Sequence, residues 1–464
     1  MDFFFKPKGI ALIGASANSA KGGYHIFKNL KTSFKQKIYP VNPGYRDIEG
    51  LKSYSSVLEV PDPVDLAIIF IPAPLVPGVV KQCAERGIKG VMIQSAGFAE
   101  SGEKGKALQR EIVQIHKETG IRVWGPNCMG LVDAVHGLVF SFVLPAVLEA
   151  GLIPGNVSLV VQSGMLSAGF LIDIMTHAAM GISKACSIGN KADVDECDIL
   201  EYLIDDPDTG TIGLYLESIP DGRRFIDLCR RSGKPIVVLR GGKSAKGAEA
   251  AMSHTASLAG NGAVISGALA QVGVVEAYDF KQMMDLCRAL AQYPVVTREK
   301  SGRVAILTMS GAAGIVSSDF IEQKGLTVAE LSADTEKELE KLFPDWMPVT
   351  NPIDLWPAVE IHGRQKAFEE ALRAVCRDPN VDAILIHIFL IQSISRAVIS
   401  RFVDVAKDAG KLLFCWFMGH RSEAHRFQMH AQELGMPAFA ELYRSVECMA
   451  AVVSRKKAAR NSAI

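Results

Sequence analysis

One imidazole stands in the segment AEAAMSHTASLAGNG: His254, among alanines, glycines, serines and a threonine that give it no bulky packing partner. A surface-loop histidine fits that setting. So does a nucleophile that has to move, because an imidazole nitrogen attacks at neutral pH without activation and small neighbours such as Gly247, Ala256 and Gly260 cost little to rearrange. Two other places could receive an anion. VVQSGMLSAG and ILTMSGAAGI each close an apolar strand with Ser-Gly and open a helix with small residues, which exposes backbone N–H groups at the positive end of a helix dipole. Ser163-Gly164 and Ser310-Gly311 therefore read either as phosphate or carboxylate sites or as tight turns without a ligand.

A third turn, IALIGASANSAKGGYHIF, has the strand, glycine turn and helix of a dinucleotide fingerprint but not its spacing. Gly14 is followed by Ala15, Ser16 and a long insertion before Gly22-Gly23. NAD binding also asks for an acid at the end of the second strand, and YPVNPG puts Asn42 there. Lys21 suits an extra phosphate better than a bare ribose. A nucleotide with a phosphorylated ribose and a pantetheine arm, coenzyme A, fits these residues better than NAD. In IFIPAP, Pro72 and Pro74 hold an extended edge with free carbonyls, which could meet the amides of such an arm or simply lead out of the strand.

The elements that must hold these turns are alternating strands and helices. GIALIGAS, KIYPVNP, VDLAIIFIP, GVMIQSAG and IRVWGPN are continuous apolar runs of the kind found in parallel strands covered on both faces, so residues to about 130 predict a doubly wound domain. NVSLVVQSG, ISKACSIGN, TIGLYLESI and KPIVVLRGG form a second series, and RVAILTMSG, VDAILIHIFL and KLLFCWFMG a third. Length agrees: 464 residues suggest about three domains at roughly 150 residues each.

Fifty basic residues balance fifty acidic ones, which recommends neither a nucleic-acid nor an anionic-membrane partner. MDFFFKPKG is neither a signal peptide nor an anchor, and HGLVFSFVLPAVLEAGLIPG is broken by Pro145 and Glu149, so a cytoplasmic protein is expected. Nine scattered cysteines without a C-x-x-C pair argue against a disulfide framework and a structural zinc site. His387, inside ILIHIFL, predicts a satisfied core histidine. G-x-x-x-x-G-K-[ST] is absent, so no P-loop is expected.

Taken in succession, the turn at Gly14 to Gly23, IPAP, GPNCMG, QSGMLSAG, SIGNKADVDECDILEYL, YLES and SHTASLAG resemble the α subunit of nucleoside-diphosphate-forming acyl-CoA synthetases, in particular the ADP-forming acetate:CoA ligase type of the succinyl-CoA synthetase superfamily. The resemblance implies an α/β fold: an N-terminal Rossmann-like CoA-binding domain over 1–135, a flavodoxin-like ligase domain over 150–295 carrying the histidine segment, and a third flavodoxin-like domain over 302–464. It implies that His254 is phosphorylated, that Ser163 and Gly164 bind its phosphate, and that Glu217 stands against the other ring nitrogen. Coenzyme A would meet Gly14, Ser16, Lys21, Ile71, Pro72, Ser95, Ala96 and Asn127. No protein ligand to a metal is expected in this chain.

The resemblance also implies what the chain lacks. ATP or ADP and Mg2+ would bind an ATP-grasp domain on a separate β subunit, most simply in an α2β2 assembly, and the chain alone would be inert towards ATP. The reaction would interconvert acyl-CoA, phosphate and ADP with a short carboxylic acid, CoA and ATP. Acetate, propionate, branched acids and aryl acetates all remain compatible. Ala256 after SHT and Met165 in the QSG turn depart from the family pattern. Cys128 reads as packing near the CoA arm. A CoA-binding regulatory or scaffold protein of the same architecture is the alternative, which retention of His254, Ser163-Gly164 and Glu217 and the absence of a further domain after residue 464 disfavour. A nicotinamide-dependent dehydrogenase is a weaker third, because of Asn42.

Overall fold

The structure, a computed structural model, describes residues 1–148, 151–177, 180–244, 246, 247, 249, 262–293, 302–391 and 393–461. They form two compact units, Met1–Met283 and Met284–Ile464. The first unit contains two large sheets. One is five-stranded and wholly parallel, in the order Lys37–Val41, Gly9–Ile13, Leu66–Ile69, Gly90–Ile93, Arg122–Trp124. All residues of Gly9–Ile13, Leu66–Ile69 and Gly90–Ile93 are buried, because helices cover both faces and leave no solvent side for a polar alternation. The chain order reverses beside Gly9–Ile13, which opens a crevice at the carboxyl ends of that strand and of Leu66–Ile69.

The second sheet has seven strands in the order Val275–Ala277, Ile236–Arg240, Thr211–Leu216, Pro154–Val161, Ile182–Ser187, Gly130–Asp133, Leu138–Ser141. The first five are parallel, while Gly130–Asp133 runs antiparallel to both its neighbours. Here the order reverses at Pro154–Val161, so a second crevice opens above its carboxyl end and that of Thr211–Leu216. A boundary at residue 135 assigns Gly130–Asp133 to the first domain, yet its hydrogen bonds lie in the second sheet, because the segment leaving the first sheet turns back as a hairpin along Ile182–Ser187.

The two sheets share one hydrophobic core, in which Trp124 is fully buried and its indole N–H donates to the Ser187 carbonyl at 2.7 Å. Backbone N–H groups of Asn190, Ala192 and Val194 donate to the carbonyls of Pro126, Gly125 and Val123, which fastens the loop after the second sheet's Ile182–Ser187 along the end of the first sheet.

The second unit has its own parallel sheet, ordered Thr327–Val328, Arg303–Thr308, Ala383–Leu390, Leu412–Gly419, Ala438–Phe439, with Ile353–Asp354 also on Arg303–Thr308. Its strand AILIHIFL is almost wholly buried, and the separate core is built on it. Among the described residues no helix is long and apolar enough to cross a membrane.

Candidate active site

The crevice of the first sheet is a cleft of about 530 Å³. Gly14 and Ser16, which follow Gly9–Ile13, line one side of it with Lys21 at the start of the helix Gly22–Ser33. Ile71 and Pro72, after Leu66–Ile69, and Ser95 and Ala96, after Gly90–Ile93, line the other. The turn is shaped by close approach. Gly14 has φ +90°, and a Cβ on Gly23 would lie 2.0 Å from the Gly14 carbonyl oxygen, so the helix can begin against the turn only without a side chain there. Ser95 Oγ accepts the Ile71 N–H at 3.0 Å and sets the spacing of the two strand ends.

Gly22, Gly23, Asn42 and Phe70 line the same cleft and were not expected as ligand residues. Their signal was positional, since Asn42 and Phe70 directly follow strand ends. Asn42 donates through Nδ2 to the Ala15 carbonyl at 2.7 Å and accepts the Gly44 N–H through Oδ1 at 2.8 Å, so its amide braces the turn. Asn127 does not line the cleft. It has φ +57°, and its N–H donates to the Ser95 carbonyl at 2.9 Å, one layer behind the lining residues.

The crevice of the second sheet holds Ser163, Gly164 and Glu217. Ser163 ends the turn that follows the strand Pro154–Val161, and Gly164 opens a 14-residue helix, Gly164–His177, whose first backbone N–H groups are a site for an anion. Ser163 Oγ accepts the Leu166 N–H at 3.4 Å. A Cβ on Gly164 would sit 3.6 Å from the Met129 nitrogen, so the GPNCMG loop lies beside the helix start. That loop joins the two crevices, because Asn127 bonds to Ser95 on one side and Met129 adjoins Gly164 on the other.

Glu217 follows Thr211–Leu216 and is held from several sides. Gln162 Oε1 accepts the N–H groups of Glu217 at 2.8 Å and Ser218 at 3.3 Å. The Tyr215 phenol hydrogen-bonds the Glu217 carboxylate, and burial together with that negative charge pushes it up to about 12, so it stays a donor across the physiological range. The buried Glu196 carboxyl, raised above its ordinary value by burial, pairs with Lys191 at 2.8 Å.

His254, Ala256 and Gly260 lie outside the described residues, but the chain on either side of them is placed. It leaves Ile236–Arg240 through Gly241, where a Cβ would be 3.3 Å from the Tyr215 hydroxyl and 3.6 Å from Glu217 Cγ. It returns at Gly262, whose carbonyl accepts from the Arg240 guanidinium at 3.1 Å. The described residues on either side of the segment, Gly241 and Gly262, thus both adjoin Arg240 at the end of its strand.

Other chemical groups are spent on structure. Cys128 is buried, its thiol pushed up to about 12 by burial, and Sγ donates to the Ile93 carbonyl at 3.3 Å; it is no thiolate nucleophile. In the second unit His387 is fully buried between Thr308 Oγ1 at 2.9 Å and Ser317 Oγ at 3.1 Å, and burial holds it down to about 3. The turn at Ser310-Gly311 is closed on itself, with Ser310 Oγ accepting the Ala313 N–H and Thr308 Oγ1 the Ser310 N–H. Among the described residues the one grouping of metal-type ligands is Asp195, Glu196 and Cys197, where Asp195 caps its helix and Glu196 holds Lys191.

Comparison with known proteins adds three family matches in order: a CoA binding domain over residues 8–134, a succinyl-CoA ligase like flavodoxin domain over 154–290 and a ligase-CoA domain over 304–410. An acetate–CoA ligase (ADP-forming) II of Archaeoglobus fulgidus is 37% identical over 456 residues, covering 98% of this chain and 66% of that protein. The chain thus spans just under two thirds of that relative's length. Subunit alpha of acetate–CoA ligase (ADP-forming) I of Pyrococcus furiosus is 36% identical over 473 residues, covering 98% of both. The solved dinucleotide forming acetyl-coenzyme A synthetase 1 of Ca. Korarchaeum cryptofilum, in complex with phosphate and ADP, superposes with a TM-score of 0.89 at 32% identity, over 100% of this chain and 98% of that one.

Proposed function

Because this chain belongs to the family of ADP-forming acetate–CoA ligase α subunits, we propose that it carries the CoA and phosphohistidine half of a reversible acyl-CoA synthetase. The observation that carries the reading is the pair of crevices joined by the GPNCMG loop. One is lined by Gly14, Ser16, Lys21, Ile71, Pro72, Ser95 and Ala96; the other holds Ser163, Gly164 and Glu217 in the same compact unit. In this reading Lys21 faces the ribose phosphate of CoA, and the pantetheine arm runs past Ile71 and Pro72 towards Asn127.

The chemistry follows in two displacements. Phosphate, held by the N–H groups at Ser163 and Gly164, attacks the thioester carbonyl; the C–S bond breaks and CoA leaves as thiolate, giving an acyl phosphate. A ring nitrogen of His254 then attacks phosphorus, the carboxylate departs, and the phosphoryl group stays on the ring. Glu217 accepts a hydrogen bond from the other ring nitrogen, which selects the tautomer and stabilises the imidazolium that forms. A β subunit with an ATP-grasp domain, most simply in α2β2, would supply Mg2+ and ADP for the last transfer. In this reading the reaction runs in the cytoplasm with acetate as the reference acid, and propionate, branched acids and aryl acetates form the panel to test.

The test is to incubate the full chain with acetyl-CoA and radiolabelled phosphate and look for acid-labile, base-stable label. Label is expected on the wild type and not on His254→Ala. Label on both would remove His254 from the mechanism. No label with any acyl-CoA of the panel, while CoA binds, would favour a CoA-binding scaffold.

A further inference from the structure

The motif SIGNKADVDECD contributes a lysine that no step above uses. Lys191 has φ +56°, a left-handed backbone conformation that costs a β-carbon-bearing residue energy and is more often filled by glycine or asparagine. Its side chain is 4% exposed. The ammonium has three N–H bonds and three partners: Glu196 Oε2 at 2.8 Å, the Ser218 carbonyl at 2.9 Å and Ser218 Oγ at 3.1 Å. No donor is left for a substrate phosphate or carboxylate, so this cation does not bind a reactant.

All three bonds serve one purpose. Glu196 is fully buried and its other oxygen, Oε1, has no hydrogen-bond partner among the described residues, so the Lys191 ammonium is the cation that balances this carboxylate. Ser218 directly follows Glu217. Gln162 takes the two N–H groups of the Glu217-Ser218 pair from one side, and Lys191 takes the Ser218 carbonyl and hydroxyl from the other. The residue before Lys191 reaches the CoA side, since Asn190 Oδ1 accepts from Asn127 Nδ2 at 3.3 Å and its Nδ2 donates to Glu100 Oε2 at 2.5 Å.

We propose that Lys191, anchored on the buried Glu196, is a positioning residue that holds the Ser218 turn so that the Glu217 carboxylate keeps its aim at the histidine. This rests on the role given to Glu217 above. A clamp of this kind matters because an orienting group displaced by about an ångström loses much of its effect on the reacting atom. It also accounts for the strained backbone at Lys191, since only a residue with a long cationic side chain reaches both Glu196 and Ser218 from that turn.

The experiment is a double-mutant cycle read in the rate at which acetyl-CoA and labelled phosphate label the full chain. Lys191→Met alone would strand Glu196 in the core, so the neutral pair Lys191→Met/Glu196→Met is combined with Glu217→Gln. In the wild-type background the pair is expected to slow labelling about tenfold, with CoA affinity unchanged. In the Glu217→Gln background it is expected to cost nothing further, because the group it aims has gone. Additive losses would overturn the proposal. If Glu217→Gln itself labels at the wild-type rate, the role of Glu217 fails first and the clamp has nothing to position. Should the paired variant not fold, Ser218→Ala takes its place in the cycle; it removes one of the three bonds and leaves the ion pair, and a loss of about threefold is expected in the wild-type background alone.

Discussion

Gly23→Ala puts the reading of the first crevice under direct strain. The added Cβ would stand 2.0 Å from the Gly14 carbonyl oxygen, more than an ångström inside ordinary contact, and the obstacle is backbone, which no side-chain rotation relieves. The helix Gly22–Ser33 must therefore retreat from the turn that carries Gly14 and Ser16, the residues that shape the cleft with Lys21. Overpacking of this kind costs about 1–3 kcal/mol. Charged against the CoA-competent turn, that cost raises the Kd for CoA by about 5- to 150-fold. Titration calorimetry of CoA into wild type and Gly23→Ala measures it. The control is Gly78→Ala, which lies in the helix Val76–Glu85 with nothing within 4 Å of the new methyl. A Kd within twofold of wild type for Gly23→Ala, in a protein that melts at the same temperature, would refute the assignment of this turn to CoA.

Three further outcomes follow from the same geometry. Gly78→Ala should itself stabilise the first unit by about 0.5–1 kcal/mol, through helix propensity and a less flexible unfolded chain, and an unchanged denaturation midpoint would count against it. His387 is held down to about 3 in the fold against an ordinary value of 6.5, so its contribution to stability is present above pH 6.5 and is lost as pH falls towards 3. Between pH 7 and 4.5 the second unit should lose about 2.5 kcal/mol that His387→Gln does not lose; identical pH profiles in urea denaturation would sink the idea. Cys128→Ala should keep labelling within about threefold of wild type and cost about 1 kcal/mol of stability, and a hundredfold loss of activity would restore the thiol to the chemistry.

Much of the candidate site was legible as a set of positions because its residues sit at strand ends. A parallel strand buried on both faces is a continuous apolar run, and the first small or polar residues after it are where a doubly wound sheet meets its ligand. GIALI followed by Gly14 and Ser16, and SLVV followed by Gln162, Ser163 and Gly164, are readable in that way, while Pro72 after LAII is marked by the fixed backbone of proline. The hairpin of Gly130–Asp133 and Leu138–Ser141 was not, since its apolar run resembled a connection and its pairing with Ile182–Ser187 is some fifty residues away. The short edge strands Thr327–Val328, Ile353–Asp354 and Ala438–Phe439 carry too few residues for any periodicity. Lys191 lay in plain view within a quoted motif, yet its partner Ser218 is separated by 27 positions.

Sequence alone determined where strands stop, which residues follow them, that Asn42 and not an acid follows the second strand, and that one histidine stands in a segment of small residues. These are local properties, set by hydrophobic runs, by the φ freedom of glycine and by side-chain chemistry within a few residues. Tertiary structure decided which strand ends face each other. It placed Asn127 behind the residues that line the first crevice, and it closed Gln162 and Lys191 around Glu217. The reason is physical: strand order and the burial of Glu196 depend on which helices and sheets pack together to exclude water, and chain spacing does not encode that contact.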